Sequence, residues 1–289
     1  MQQNRLPNLF IVGFPKTGTT TLFDTLAQHP DIFPSKRKEP GDWENLHHLN
    51  KANNFCYAEY MKNFEEAEDQ RYLMEGTTRY SLNLSSAKTL KGFNGNAKIV
   101  IGIREPISYI ASLCFQIEKN TKRERDINED IKLGLSYTKP RFYEAVCSYH
   151  EEFGKENVIV YTFDSFLTSA RRLTTEILTF LDLEEPSVFN VINNNLSRKA
   201  KTKFHGSINQ FLHNAVISKT IRNLLKKTKF YNPETIKQIV ARALTNKVNY
   251  YNQIVENEEN FIHLKNQFRE DVRMLSETVG QNLSSKWDY

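Results

Sequence analysis

Residues 9–22 read Leu-Phe-Ile-Val-Gly-Phe-Pro-Lys-Thr-Gly-Thr-Thr-Thr-Leu. A short, wholly apolar run ends at Gly13, a tight polar loop follows, and an amphipathic stretch with Leu22, Phe23 and Leu26 on one side begins at Thr20. A strand buried on both faces shows no polar alternation, whereas a helix start leaves backbone N–H groups unpaired. The pattern therefore predicts a buried strand feeding a helix over residues 20–28, with an anion site in the turn. Lys16 adds positive charge there, Gly18 permits close backbone approach, and Thr17, Thr19, Thr20 and Thr21 offer hydroxyls.

Three more apolar runs, Tyr72–Glu75, Lys98–Ile103 and Val158–Tyr161, have the same character. Helical periodicity separates them. Pro106–Glu118 opens with proline where its missing N–H is harmless. In Ser169–Leu181, capped by Thr168 or Ser169, the residues Leu173, Ile177, Phe180 and Leu181 fall on one stripe. Alternating strands and helices predict an α/β fold, a single-domain open parallel sheet flanked by helices. The 289 residues are taken as one domain, with a cofactor-binding core over about 7–185 and a basic, then helical region over 186–289.

Composition narrows the class further. No apolar run approaches the roughly 20 residues of a membrane span, and the first residues lack the apolar stretch of a secretory signal. Cys56, Cys114 and Cys147 are too few and scattered for a disulfide framework or a zinc module. Seven histidines without HxxxH or HExxH spacing give no metal site, and His29, after the first helix, reads as structural. A cytoplasmic setting is expected. Between Pro186 and Pro233 there is no Asp or Glu, while nine lysines and arginines are present. Such a stretch is either a solvated basic face or a surface for an anionic ligand.

The loop is not a nucleoside-triphosphate P-loop. That motif, GxxxxGK[ST], places lysine directly after its second glycine, but here Thr19 follows Gly18 and Lys16 precedes it. A small-molecule kinase is thus disfavoured, and a non-catalytic binder of anionic glycans or nucleotides is the other alternative.

Pro15-Lys16-Thr17-Gly18-Thr19-Thr20 resembles the 5′-phosphosulfate loop of sulfotransferases that use 3′-phosphoadenosine 5′-phosphosulfate. Lys98–Pro106 with Ser108 and Ser112 is similar to that family's 3′-phosphate motif, an arginine ending a strand and a serine eight residues later. Val158–Phe166 with Phe180–Leu183 resembles the family's following strand, acidic turn and helix. Phe268–Leu275 with Asn282–Trp287 resembles the C-terminal helix and tail of bacterial and carbohydrate-type members.

The resemblance implies a P-loop-like sulfotransferase fold, this nucleotide as cosubstrate, adenosine 3′,5′-bisphosphate as product, and no metal requirement. It implies Lys16 as the group stabilising the leaving phosphate, and Arg104 and Ser112 as the clamp on the 3′-phosphate. Independently of any family, an arginine fork at a strand end suits a phosphate; the alternative is a pair with Glu105 or another surface acid. Ser197–Lys203 resembles the loop closing over the nucleotide, with Ala200 where the family carries glycine, leaving the choice among Arg198, Lys199 and Lys201 open. Glu39, in Lys38-Glu39-Pro40, matches the family's basic carboxylate; flanked by cations, it also reads as a surface acid. Glu75 resembles an acceptor-side family position, and Arg79 is placed to meet an acidic acceptor. The expected acceptor is a hydroxyl of a carbohydrate, with no nucleic-acid partner, in a bacterial cytoplasm.

Overall fold

A computed structural model describes residues 5–40, 46, 49, 54–186 and 250–289. Five parallel strands form one sheet: β1 (Leu9–Gly13), β2 (Ile32–Pro34), β3 (Tyr72–Glu75), β4 (Lys98–Ile103) and β5 (Val158–Thr162), in the order β2-β3-β1-β4-β5. Successive side chains leave opposite faces of a strand, and both faces here are apolar. Phe10, Val12, Leu73, Ile99, Ile101 and Ile103 enter one core; Leu9, Ile11, Tyr72, Met74, Val100 and Tyr161 enter the other. Double burial explains why these strands read as continuous apolar runs.

Helices cover both faces. On one side lie α1 (Thr19–Leu26), α7 (Phe163–Thr168) and α8 (Ala170–Phe180), which close the core through Leu22, Phe23, Leu26, Phe166, Leu173 and Ile177. The other face is covered by α3 (Ser85–Phe93), α4 (Pro106–Thr121), α5 (Ile127–Lys132) and α6 (Phe142–Phe153), with α2 (Asn54–Met61) beside them. The long α9 (Glu258–Val279) packs Leu264, Phe268, Val272 and Leu275 into that same core, and the short α10 (Leu283–Trp287) adds Leu283 and Trp287.

The four strands expected from sequence are present, and β2 is an addition. It is three residues long and ends in proline, so it offers no period to read; its edge position tolerates the missing N–H. The first helix begins at Thr19 and ends at Leu26, where tighter hydrogen bonds from Gln28 to Thr25 and His29 to Leu26 finish the turn. Ser169 caps α8 by accepting the Arg172 N–H; Leu173, Ile177 and Leu181 are buried as expected, Phe180 packs partly buried against the same core, and Leu178 joins them.

From β1 the chain places β2 and β3 on one side and then crosses to β4 and β5 on the other. The carboxyl ends of β1 and β4 therefore flank the point where strand order reverses, the place where open α/β sheets receive ligands. Gly102 makes β4 fit there: a Cβ would lie 2.5 Å from the Tyr161 ring and 2.6 Å from Thr17 Oγ1.

Candidate active site

The loop between β1 and α1 is built for backbone approach. Gly18 sits at φ 89°, in the left-handed region, and a Cβ on it would come within 2.9 Å of the Phe166 ring. It precedes α1 with no side chain capping the helix, so the first-turn N–H groups have no internal side-chain acceptor. Thr17 is fully buried and gives its hydroxyl hydrogen to the Phe14 carbonyl at 2.6 Å. It shapes the loop from within, and Tyr161 donates to the Thr17 carbonyl at 3.2 Å from β5. Thr19 and Thr21 are also buried, while Thr20 is exposed.

Lys16 is held at φ 69°, a conformation costly for a side-chain-bearing residue. Its ammonium donates to Gln116 Oε1 at 3.3 Å. Burial, then the neighbouring charges of Arg104 and Lys119, push its pKa down. Gln116 and Lys119 share α4 with Ser112, at spacings that put all three on adjoining turns. Positive charge thus converges on this loop from β1, β4 and α4.

Arg104 leaves the end of β4 and donates from Nη1 to the Lys16 carbonyl at 3.1 Å, with its guanidinium 4.5 Å from the Phe163 ring centroid. It does not pair with Glu105. That carboxylate caps α4, accepting the Ile107 N–H at 3.0 Å and the Ser108 N–H at 2.6 Å. Desolvation pulls the Arg104 guanidinium down to about 10, against the opposing pull of Glu105 and Asp164. Its Nε is buried without a hydrogen-bond partner, and so is the Ser112 hydroxyl, in a residue only 1% exposed. Buried polar atoms are rarely left unpaired because each costs about 1–3 kcal/mol. Of the six such side-chain atoms among the described residues, the others being on Ser86, Tyr149, His150 and Asp271, these two fall on the residue pair that the resemblance implies for a second anion. A ligand with two separated anionic groups fits this donor set.

Across the sheet, the segment after β2 carries Glu39, itself at φ 58°. Lys16 and Glu39 are the loop residues after β1 and β2 that occupy the left-handed region, while Lys122 and Asp288 with the same conformation end helices. Glu39 is gripped by the segment after β3: its N–H donates to the Gly76 carbonyl at 3.1 Å, and Thr78 donates to its Oε1 at 2.9 Å. Lys38 pairs with the same Oε1 at 3.1 Å, and the side chain is 40% exposed.

Glu75, expected on the acceptor side, has no exposed surface. Its carboxylate accepts hydroxyl hydrogen bonds from Tyr60 at 2.7 Å, Tyr80 at 3.3 Å and Thr77. The position is internal because donors from α2 and the turn after β3 enclose it, and it steadies the segment that holds Glu39. Arg79, on that same segment, is exposed. Three hydroxyls favour the charged form of Glu75, yet desolvation outweighs them and raises its pKa to about 7.

A carboxyl that holds its proton more tightly when folded stabilises the protein below its ordinary value near 4.5, and that contribution is lost as pH rises through about 7. The shift corresponds to on the order of 3 kcal/mol. Melting curves of the wild type and Glu75→Gln should therefore diverge between pH 4.5 and 7, with the wild type losing ground. Parallel curves would mean that Glu75 stays ionised throughout.

The structure brings Lys16, Thr17, Gly18, Thr19, Thr20, Thr21, Arg104 and Ser112 to one end of the sheet. Glu39 lies on the same edge, two strand spacings or roughly 10 Å along it. Arg198, Lys199 and Lys201 lie outside the described residues. His29 is buried, with Nε2 2.9 Å from the Glu184 carbonyl and Nδ1 accepting the Asp31 N–H. Its role is structural. Among the described residues there is no cluster of three metal-ligating side chains and no helix long and apolar enough to cross a membrane. Sequence reasoning did not single out Phe163, Gln116 or Lys119. The seven-residue interval from Ser112 to Lys119 was the available signal for the last.

Comparison with known proteins agrees with this architecture. A solved sulfotransferase from Alicyclobacillus acidocaldarius superposes with a TM-score of 0.57 at 23% identity, covering 68% of this chain and 90% of that one. The membrane-associated sulfotransferase kil1 of Dictyostelium discoideum is 31% identical over 102 residues, 35% of this chain. The bifunctional heparan sulfate N-deacetylase/N-sulfotransferase 1 of Caenorhabditis briggsae is 33% identical over 103 residues, again 35% of this chain. The aligned stretches span 21% and 12% of those two relatives. The sequence profile of the sulfotransferase family matches residues 7–187, a span holding all five strands and both halves of the anion site, and the chain belongs to that family.

Proposed function

We propose that the protein transfers a sulfuryl group from 3′-phosphoadenosine 5′-phosphosulfate to an acceptor hydroxyl. The observation carrying this reading is the pair of buried, unpartnered donors, Arg104 Nε and Ser112 Oγ, beside a cationic helix-start loop. Bound, that nucleotide supplies the activated sulfuryl group and a phosphate as leaving group. The N–H groups opening α1 and the Lys16 ammonium hold and neutralise the 5′ end, and Lys16 offsets charge developing at the leaving oxygen. Arg104 and Ser112 hold the 3′-phosphate, each gaining the partner it lacks. Glu39 removes the acceptor proton. Lys38 and Thr78 both occupy Oε1, which orients the carboxylate and leaves Oε2 to receive that proton.

A glycan acceptor is supported by the likeness of the Glu39 segment to carbohydrate-type members and by the Caenorhabditis relative, whose name specifies heparan sulfate. That name also specifies N-sulfotransfer, so an acceptor panel should contain amino sugars beside hydroxylated glycans. Three unpaired cysteines suit a reducing, cytoplasmic setting.

Thermal unfolding tests the reading. Adenosine 3′,5′-bisphosphate at about 100 times Kd should stabilise the protein by roughly 2.7 kcal/mol. Adenosine 5′-phosphate at the same concentration should give much less, and excess EDTA should change neither result. Equal stabilisation by both nucleotides, or dependence on a divalent metal, would refute it in favour of a general polyanion binder or a kinase.

A further inference from the structure

The carboxyl-terminal tail brings a cation to the nucleotide end of the sheet that none of the loop or strand-end assignments includes. Several contacts fix this tail. Asn282 caps α10 through the Ser285 N–H, and Lys265 donates to the Trp287 and Asp288 carbonyls at 3.0 and 2.7 Å. Trp287 Nε1 donates to Asp164 Oδ2 at 2.8 Å, and the Tyr289 hydroxyl donates to Glu105 Oε1 at 2.9 Å. Asp164 adjoins Phe163, the ring under Arg104, and Glu105 adjoins Arg104 itself. The tail thus clasps the carboxyl ends of β4 and β5 together.

Within that clasp, Lys286 Nζ lies 2.8 Å from Thr162 Oγ1 and 3.4 Å from Ser165 Oγ. Thr162 pairs in register with Ile103, the residue before Arg104. Adjacent strands are roughly 5 Å apart, so the hydroxyl that Lys286 engages belongs to the residue one strand spacing from Ile103, whose chain neighbour is Arg104. Its described partners are neutral hydroxyls. The adjacent carboxylates are engaged elsewhere, Asp164 by Trp287 and Glu105 by the start of α4 and by Tyr289. A lysine fixed among neutral acceptors, at the strand end next to the one that carries a desolvated arginine, is arranged for an anion that arrives from outside.

We propose that Lys286 is a further binding cation for the 3′-phosphate, supplied by the tail to complete the clamp of Arg104 and Ser112. This rests on the nucleotide reading given under the proposed function. The interaction is electrostatic, so arginine should substitute for it and an uncharged chain of similar length should not.

Calorimetric titration of the full chain with adenosine 3′,5′-bisphosphate and with adenosine 5′-phosphate tests the assignment. Lys286→Met should lose about tenfold in affinity for the bisphosphate, the size of one charge-assisted contact, and keep its affinity for the monophosphate. Lys286→Arg should stay within a few-fold of wild type for both. Unchanged bisphosphate affinity in Lys286→Met, or equal losses for both nucleotides, overturns the proposal; equal losses with a lowered melting temperature would assign Lys286 to stapling the tail. A wild-type protein that does not prefer the bisphosphate refutes the nucleotide reading itself, and the Lys286 proposal with it.

Discussion

Glu39→Gln should lower turnover by about 10²–10⁴-fold while leaving the affinity for adenosine 3′,5′-bisphosphate within a few-fold of wild type. The substitution preserves size and an acceptor oxygen for Thr78 and Lys38, and removes the carboxylate's charge together with its capacity to take a proton. The two halves of the expectation separate because Glu39 follows β2, whereas the anion site lies at β1 and β4, with β3 between. Turnover is measured with saturating nucleotide on the best acceptor, and binding by titration without acceptor. Undiminished turnover would remove Glu39 as the base. Parallel loss of binding would instead place Glu39 in the nucleotide pocket. The left-handed conformation at Glu39 adds a control: Glu39→Asp keeps the carboxylate but shortens it, so a loss there measures placement and not basicity.

How much of this was readable beforehand follows from how local each feature is. A strand buried on both faces announces itself in one short window, which is why β1, β3, β4 and β5 were legible. The loop from Phe14 to Thr19 and the interval from Arg104 to Ser112 are likewise contiguous in sequence. What stayed hidden depends on which way a side chain turns and what closes around it, whether its partners are near in sequence or far. Glu75, ending a strand, resembles an acceptor-side position of the family, and its enclosure by Tyr60, Thr77 and Tyr80 makes it internal. Glu105 reads as a partner for Arg104, but with Pro106 opening the helix its carboxylate turns to the Ile107 and Ser108 N–H groups, which leaves the guanidinium for Phe163. Lys286 lies in the Asn282–Trp287 segment, whose likeness to the family's tail gives it no role of its own. Its meaning comes from Thr162 and Ser165, more than a hundred residues earlier.

Arg104→Ala should weaken adenosine 3′,5′-bisphosphate by roughly 10–150-fold, the range spanned by a hydrogen bond to a charged group of about 1.5–3 kcal/mol. The loss should be far smaller for adenosine 5′-phosphosulfate, which has no 3′-phosphate. One contact complicates the comparison: Arg104 also donates to the Lys16 carbonyl, so its removal can loosen the loop that holds the 5′ end. Arg104→Lys separates the effects. A lysine retains positive charge but lacks the planar fork that can reach both the Lys16 carbonyl and a phosphate. If charge dominates, lysine restores most of the bisphosphate affinity; if geometry dominates, it restores little, and affinity for the phosphosulfate falls as well. Equal losses for both nucleotides in Arg104→Ala and full recovery of both in Arg104→Lys would assign the residue to the 5′ loop. Ser112→Ala is the independent arm. It removes a hydroxyl that has no partner in the unliganded protein, so it should cost no stability without nucleotide and should weaken only ligands that carry the 3′-phosphate.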